Sequence, residues 1–143
     1  MTRRNAPYDD YIMDHIRNAR NFRVLGGAKR ESTGSNPLCG DRITLQLHVV
    51  HGRIEDAAYQ CECCGISMAS ASMMTDWAKG RALGDARPFV RGLIACLTDR
   101  PGAARAEAGE MERALLATVR DFPARAGCAA LPWTTLESLL NGA

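Results

Sequence analysis

Cys39, Asp41, Cys64 and Cys128 are the residues of this chain best suited to chemistry. Cys39 and Asp41 sit together in Asn36-Pro37-Leu38-Cys39-Gly40-Asp41. Cys64 follows about one hairpin later, at the mouth of a helix-like segment, and Cys128 lies far downstream, just before Leu131-Pro132-Trp133. Three thiolates and one carboxylate, each on a turn beside regular structure, can make one four-coordinate metal site. Thiolates are soft donors and select zinc, copper(I) or iron–sulfur species over magnesium or calcium. Spacing alone leaves two readings open, a shared metal site or a set of unrelated thiols.

The elements that must position these residues are legible in the hydrophobic pattern. Ile43, Leu45, Leu47 and Val49 alternate with Thr44, Gln46, His48 and Val50, the two-residue period of a half-buried strand. His51-Gly52 allows a tight turn, and Ile54 to Tyr59 continues as the partner strand of an antiparallel hairpin. Tyr8, Tyr11, Ile12, His15 and Ile16 fall on one helical face. Asn18 to Asp41 reads as a long irregular stretch. After Cys64, residues Ile66, Ser70, Met73 and Trp77 share a helical face whose small neighbours permit close packing, and Gly80 ends that helix. A second helix is predicted from about Phe89 to Leu97, and Pro101-Gly102 breaks it. A third holds Met111, Leu115, Val119 and Phe122. Pro132 fits the first turn of a last helix carrying Trp133, Leu136, Leu139 and Leu140. The whole reads as one α+β domain over residues 1–143, a small antiparallel sheet of about three strands against a helical layer.

Composition narrows the function. The chain of 143 residues is 46% hydrophobic and 24% charged, ordinary for a globular domain. A net charge of +2, with dispersed basic residues, argues against a nucleic-acid partner. No run approaches the apolar length of a membrane span, and Met1-Thr2-Arg3-Arg4 has no apolar run behind it, so a cytoplasmic location is expected. In that compartment six cysteines are expected to bind metal or react rather than to form a disulfide framework.

Three segments together resemble the IscU/SufU/NifU N-terminal family of iron–sulfur assembly proteins. They are Asn36-Pro37-x-Cys39-Gly40-Asp41; Cys64-x-Ile66-Ser67-x-Ala69-Ser70-Ala71-Ser72-Met73-Met74; and Arg125-x-x-Cys128-x-x-Leu131-Pro132-Trp133. The opening Tyr8-x-x-Tyr11-Ile12-Met13-Asp14-His15-x-Arg17-Asn18-x-Arg20-Asn21 is similar to the family's first helix and loop. The resemblance covers nearly the whole chain. It implies a SufE/IscU-like fold and a zinc ion or nascent [2Fe–2S] cluster held by Cys39, Asp41, Cys64 and Cys128. Gly127, where the scaffold branch has a histidine, and the long stretch from Cys64 to Cys128 are similar to the SufU branch. That branch implies a zinc-dependent sulfurtransferase, fed by a SufS-like cysteine desulfurase and serving a downstream scaffold or apo-protein, with Cys39 as the sulfur acceptor. The scaffold branch implies cluster assembly instead.

Where the family has Gly-x-Gly-Cys, this chain has Cys61-Glu62-Cys63-Cys64. Cys61 and Cys63 read either as passive loop residues or as auxiliary thiols. Cys96, among Leu93, Ile94 and Leu97, reads as a core thiol, and Met68, Met73 and Met74 as core filling. His15 and His48 read as structural or surface residues, and His51 as a turn residue.

Overall fold

The computed structural model describes residues 10–27, 30–36, 40–98 and 109–141. Within them the order is α1 (Asp10–Arg17), β1 (Arg30–Asn36), β2 (Asp41–Val50), β3 (Arg53–Glu62), α2 (Gly65–Ala78), α3 (Leu83–Thr98), α4 (Glu110–Asp121) and α5 (Ala126–Asn141), with a single 3₁₀ turn at Pro123–Arg125 before α5. The strands form one antiparallel sheet in the order β1-β2-β3. The α+β reading therefore holds, with its three-stranded sheet and helical layer.

The β2–β3 hairpin turns on His51 and Gly52, with φ of 53° and 74°. Two consecutive left-handed residues match the twist of a two-residue hairpin. Ile43, Leu45 and Leu47 bury one face of β2, and Ile54, Ala57 and Tyr59 extend that face across β3. Burial pushes the Tyr59 hydroxyl up to about 12. The helices close over this face through Met73, Met74, Leu93, Leu115 and Trp133. Trp77 stacks on Phe89 at 4.5 Å and tilts against Trp133 at 5.5 Å.

Four expectations change. The stretch from Asn18 to Asp41 is not wholly irregular, because Arg30 to Asn36 pairs with β2 as strand β1. Its sequence Arg-Glu-Ser-Thr-Gly-Ser-Asn carries no apolar alternation, so only tertiary pairing makes it a strand. Gly34 is needed there, since a Cβ would collide with the Thr135 hydroxyl of α5. Helix α3 starts at Leu83 rather than near Phe89 and contains Pro88. The lost Pro88 N–H falls on the carbonyl of Gly84, an exposed residue. Pro132 lies inside α5, not in its first turn. Finally, Cys61 and Cys63 form a disulfide, so these two of the six cysteines are not free thiols. Cys96 is half-buried and packs against the core from α3.

His15 is buried, and its Nδ1 lies 2.7 Å from the Ser72 hydroxyl of α2. That hydroxyl also accepts the Arg20 backbone N–H at 2.8 Å, which suits a neutral imidazole whose Nδ1 accepts the Ser72 proton. Desolvation, and secondarily the Arg20 guanidinium, hold His15 below the ordinary histidine range, against smaller opposing effects of Asp14 and Asp76. The sign follows by linkage. The unfolded chain takes up this proton first as pH falls below about 6.5, so the contribution of neutral His15 is complete above that pH and is lost on further acidification. The melting temperature should therefore fall between about pH 7 and about pH 5. His15→Gln should flatten that part of the profile, and a variant whose acid-side slope matches the wild type would exclude His15 as the cause.

Candidate metal centre

Three elements deliver the donors. Asp41 opens β2, Cys64 is the N-cap of α2, and Cys128 is the third residue of α5. Asp41 and Cys128 are buried and Cys64 is half-buried. Their ligand atoms all lie within 4.8 Å of one another. Donors around a tetrahedral zinc with sulfur and oxygen ligands stand roughly 3.5–3.8 Å apart, as bond lengths of about 2.0–2.3 Å require. Shifts of about 1 Å would bring these side chains to that spacing, so two thiols and a carboxylate fit one soft divalent cation. Zinc would be held by these three with a fourth ligand.

The carboxylate of Asp41 is oriented by α2. Its Oδ1 accepts the backbone N–H of Cys64 at 3.2 Å, and its Oδ2 accepts the Ser67 hydroxyl at 2.6 Å. An anion at this end of the helix meets its unpaired N–H groups and the positive end of its dipole. The Cys64 thiol lies 3.7 Å from the Ser67 hydroxyl oxygen. Ser67 therefore touches two of the three donor residues through their side chains.

It reaches the third through the backbone. Proline has no N–H, so Pro132 removes the helical donor that the Cys128 carbonyl would use. The Ser67 Oγ stands 3.1 Å from that carbonyl. One turn along α2, the Ser70 hydroxyl donates to the Ala129 carbonyl at 2.7 Å and accepts the Trp133 indole N–H at 3.0 Å. Ser67 and Ser70 are three apart and so share a helix face. Their hydroxyls fix the axial position of α5, and with it Cys128, against Cys64. Ser67 is legible in the sequence as a family position, but its link to Pro132 is not, because a proline suits a helix start as well as this interior position.

The structure thus brings together Asp41, Cys64 and Cys128. Cys39 lies outside the described residues. Asn36 and Asp41, on either side of it in the chain, are partners in the β1–β2 ladder. Cys61 and Cys64 stand at a C-x-x-C spacing common in zinc sites, yet Cys61 is bonded to Cys63 and not gathered with the other donors. Arg125 is exposed on the 3₁₀ turn. Gly127 faces Asn36, whose Nδ2 would lie 2.6 Å from a Cβ at that position. Any larger residue before Cys128 must displace that amide.

Residues 7–129 match the NifU-like N-terminal domain family, and the chain belongs to it. It is similar to the zinc-dependent sulfurtransferase SufU of Bacillus subtilis, with 38% identity over 130 residues, covering 91% of this chain and 86% of that protein. It is similar also to the iron–sulfur cluster assembly scaffold protein IscU of Streptococcus pyogenes, with 32% identity over 141 residues, covering 99% of this chain and 87% of that protein. Its fold matches that of the SUF-system protein FiSufU of Fervidobacterium islandicum, with a TM-score of 0.83 and 24% identity, over 94% of this chain and 97% of that one.

Ser67→Ala removes the hydroxyl that donates to Asp41 Oδ2. Loss of that hydrogen bond to a buried carboxylate costs about 1–3 kcal/mol. Metal affinity should also fall by roughly tenfold or more, as when a hydrogen-bond partner of a ligand is lost. Urea unfolding and competition with a zinc indicator read the two effects separately. Unchanged zinc affinity would mean that Ser67 does not orient Asp41.

Proposed function

We propose that this protein binds zinc at Cys39, Asp41, Cys64 and Cys128 and carries sulfur from a cysteine desulfurase into iron–sulfur cluster assembly. The observation that supports this most is the meeting of the Asp41, Cys64 and Cys128 donors within 4.8 Å. A relative sharing 38% identity over 91% of the chain is named a zinc-dependent sulfurtransferase, which agrees with that donor set. A bound zinc ion supplies a cation that holds its sulfur ligands as thiolates.

The chain's own residues divide the work. Asp41 supplies a hard oxygen to an otherwise soft site, making it less negative and more exchangeable than a four-thiolate site. The Cys64 N–H holds its Oδ1 and the Ser67 hydroxyl its Oδ2. Cys39 is the acceptor. Its thiolate attacks the outer sulfur of the desulfurase persulfide, a new S–S bond forms on Cys39, and the desulfurase cysteine leaves as a thiolate. The transfer is redox-neutral, because one sulfane sulfur moves between two thiols. Cys64 and Cys128 are the poorer acceptors, since one caps α2 and the other is fixed within α5. The loaded protein then serves a downstream scaffold or apo-protein in the cytoplasm. No helix of the described residues is long and apolar enough to cross a membrane.

A second reading is a scaffold that assembles a [2Fe–2S] cluster on the same four residues. It is favoured by the 32% identity over 99% of the chain to a protein named a scaffold. Gly127, which offers no side chain beside Cys128, favours the sulfur carrier.

Aerobically purified protein should hold one zinc per chain. Cys64→Ala and Cys128→Ala should lose it. Chelation should lower the melting temperature by about 10 °C or more, as removal of a tightly bound ion implies for a domain of this size. Absence of zinc and iron, with unchanged melting after chelation, would defeat the metal reading. After incubation with a desulfurase and cysteine, peptide mass spectrometry should place the extra sulfur on Cys39, whereas persulfide confined to Cys128 would contradict that assignment. Asp41→Ala should keep the fold while changing metal exchange and sulfur-transfer rate. Under the scaffold reading it would lengthen the life of an assembled cluster.

A further inference from the structure

We propose that Cys61 and Cys63 are a dithiol–disulfide couple that reduces sulfane sulfur carried by this chain to sulfide; the proposal rests on the sulfur-carrier reading above. The two residues are bonded across a single intervening residue, with Cα atoms 5.5 Å apart. A ring this short removes little entropy from the unfolded chain, so the bond contributes little as a staple. Strand β3 needs no staple there, because the ladder already sets Cys61 opposite Ile43 and Glu62 opposite Arg42. The pair is better suited to open and close.

Its position fits such a role. Cys63 is covalently next to Cys64, one of the three gathered donors, and Cys64 itself is a free thiol. The ladder holds Cys61 at the end of the sheet where β2 begins with Asp41. Both bonded cysteines are half-buried rather than sealed in the core. Cys61 also lines an open cleft of about 370 Å³ with Phe22, Arg42, Thr44, Gln60 and Glu62. A reductant from solution therefore has a route to one sulfur, while the other adjoins the metal centre.

The chemistry balances within the chain. Iron–sulfur clusters contain sulfide, whereas a persulfide carries sulfur two electrons more oxidised. The Cys63 thiolate attacks the outer sulfur of the persulfide on the carrier cysteine. That S–S bond breaks, the carrier returns to a thiol, and Cys63 becomes the persulfide. The Cys61 thiolate then attacks Cys63 Sγ, hydrosulfide leaves, and the Cys61–Cys63 bond closes. One persulfide and two thiols become one thiol, one disulfide and one hydrogen sulfide. The two electrons gained by the sulfane sulfur are those lost by the pair. A dithiol reductant from solution, entering by the cleft, reopens the bond by exchange.

The test uses the full zinc-loaded chain, reduced and freed of reductant under anaerobic conditions. One arm adds desulfurase and cysteine; the other adds glutathione persulfide directly, which needs no desulfurase. Sulfide is quantified by bimane trapping, and the Cys61–Cys63 peptide is typed by mass after alkylation. Wild-type protein should release one sulfide for each disulfide closed, in both arms. Cys61→Ser should stop midway and hold persulfide on Cys63, a signature that a structural role would not produce. The Cys61→Ser, Cys63→Ser double variant should keep full zinc, retain persulfide on the carrier cysteine and release at least tenfold less sulfide. Wild-type protein that holds persulfide while Cys61 and Cys63 stay as thiols, or equal sulfide release from the double variant, would overturn the proposal. Failure of the desulfurase arm alone, with the glutathione persulfide arm intact, would count against the sulfur-carrier reading and leave the couple standing. A double variant purified without zinc would show that the pair belongs to the metal site and overturn its separate role.

Discussion

The hydroxyl of Ser67, set between the Asp41 carboxylate and the Cys128 carbonyl, is the contact on which the metal centre depends. Pro132 makes it necessary. A proline inside a helix deprives the carbonyl four residues earlier of its usual N–H, and here that residue is a candidate ligand. The small-residue face of α2 lets α5 approach closely enough for the Ser67 Oγ, whose proton lies toward Asp41 Oδ2 at 2.6 Å, to stand 3.1 Å from that carbonyl. Ser70 repeats the device one turn on, with the Trp133 indole as a second partner. Far ends of the same helix are secured too, since Arg30 and Arg87 donate to the last carbonyls of α5 at Leu139 and Leu140. Helix α5 is thus held along its length by side chains from β1, α2 and α3.

Such rigidity has an electrostatic consequence. Two thiolates and a carboxylate held within 4.8 Å would repel one another. Unit charges 4 Å apart interact by about 4 kcal/mol at the effective dielectric of a protein surface. The N–H of Cys64 and the dipole of α2 offset part of this repulsion at Asp41. A bound divalent cation would offset far more, and would couple ligand deprotonation, metal uptake and folding at this point. Donors gathered this closely link metal binding to stability, because the ion would offset repulsion that the folded chain otherwise carries.

Much of this was legible in the sequence, and the reasons differ by element. The β2–β3 hairpin announced itself because Ile43 to Val49 alternates strictly and His51-Gly52 supplies the left-handed turn. Helix α2 was legible from its period and from the cysteine at its mouth. Strand β1 was not, because Arg30 to Asn36 is polar throughout and becomes a strand only by pairing with β2 and admitting Thr135 against Gly34. The start of α5 was misplaced because proline is commonest in a first turn, and nothing local says that Ser67, some sixty residues away, will compensate for one deeper in the helix. The Cys61–Cys63 bond escaped for a related reason. Compartment arguments speak to disulfides that staple distant segments, and they say little about a pair separated by one residue on a strand end.

The three donors described here are all secured, and that constrains which ligand can exchange. Moving Asp41 breaks its bonds to Cys64 and Ser67, and moving Cys64 disturbs the N-cap of α2. Moving Cys128 strains a helix turn already short of one donor at Pro132. A fourth ligand from outside these three would exchange without breaking any of these bonds. The end of β1 is coupled to α5 by Asn36, whose amide occupies the space that a side chain at Gly127 would need. A histidine or basic residue before Cys128 would push that amide aside at the end of β1. Gly127 and Asn36 are therefore sterically interdependent, since only the bare glycine leaves room for the amide where it stands.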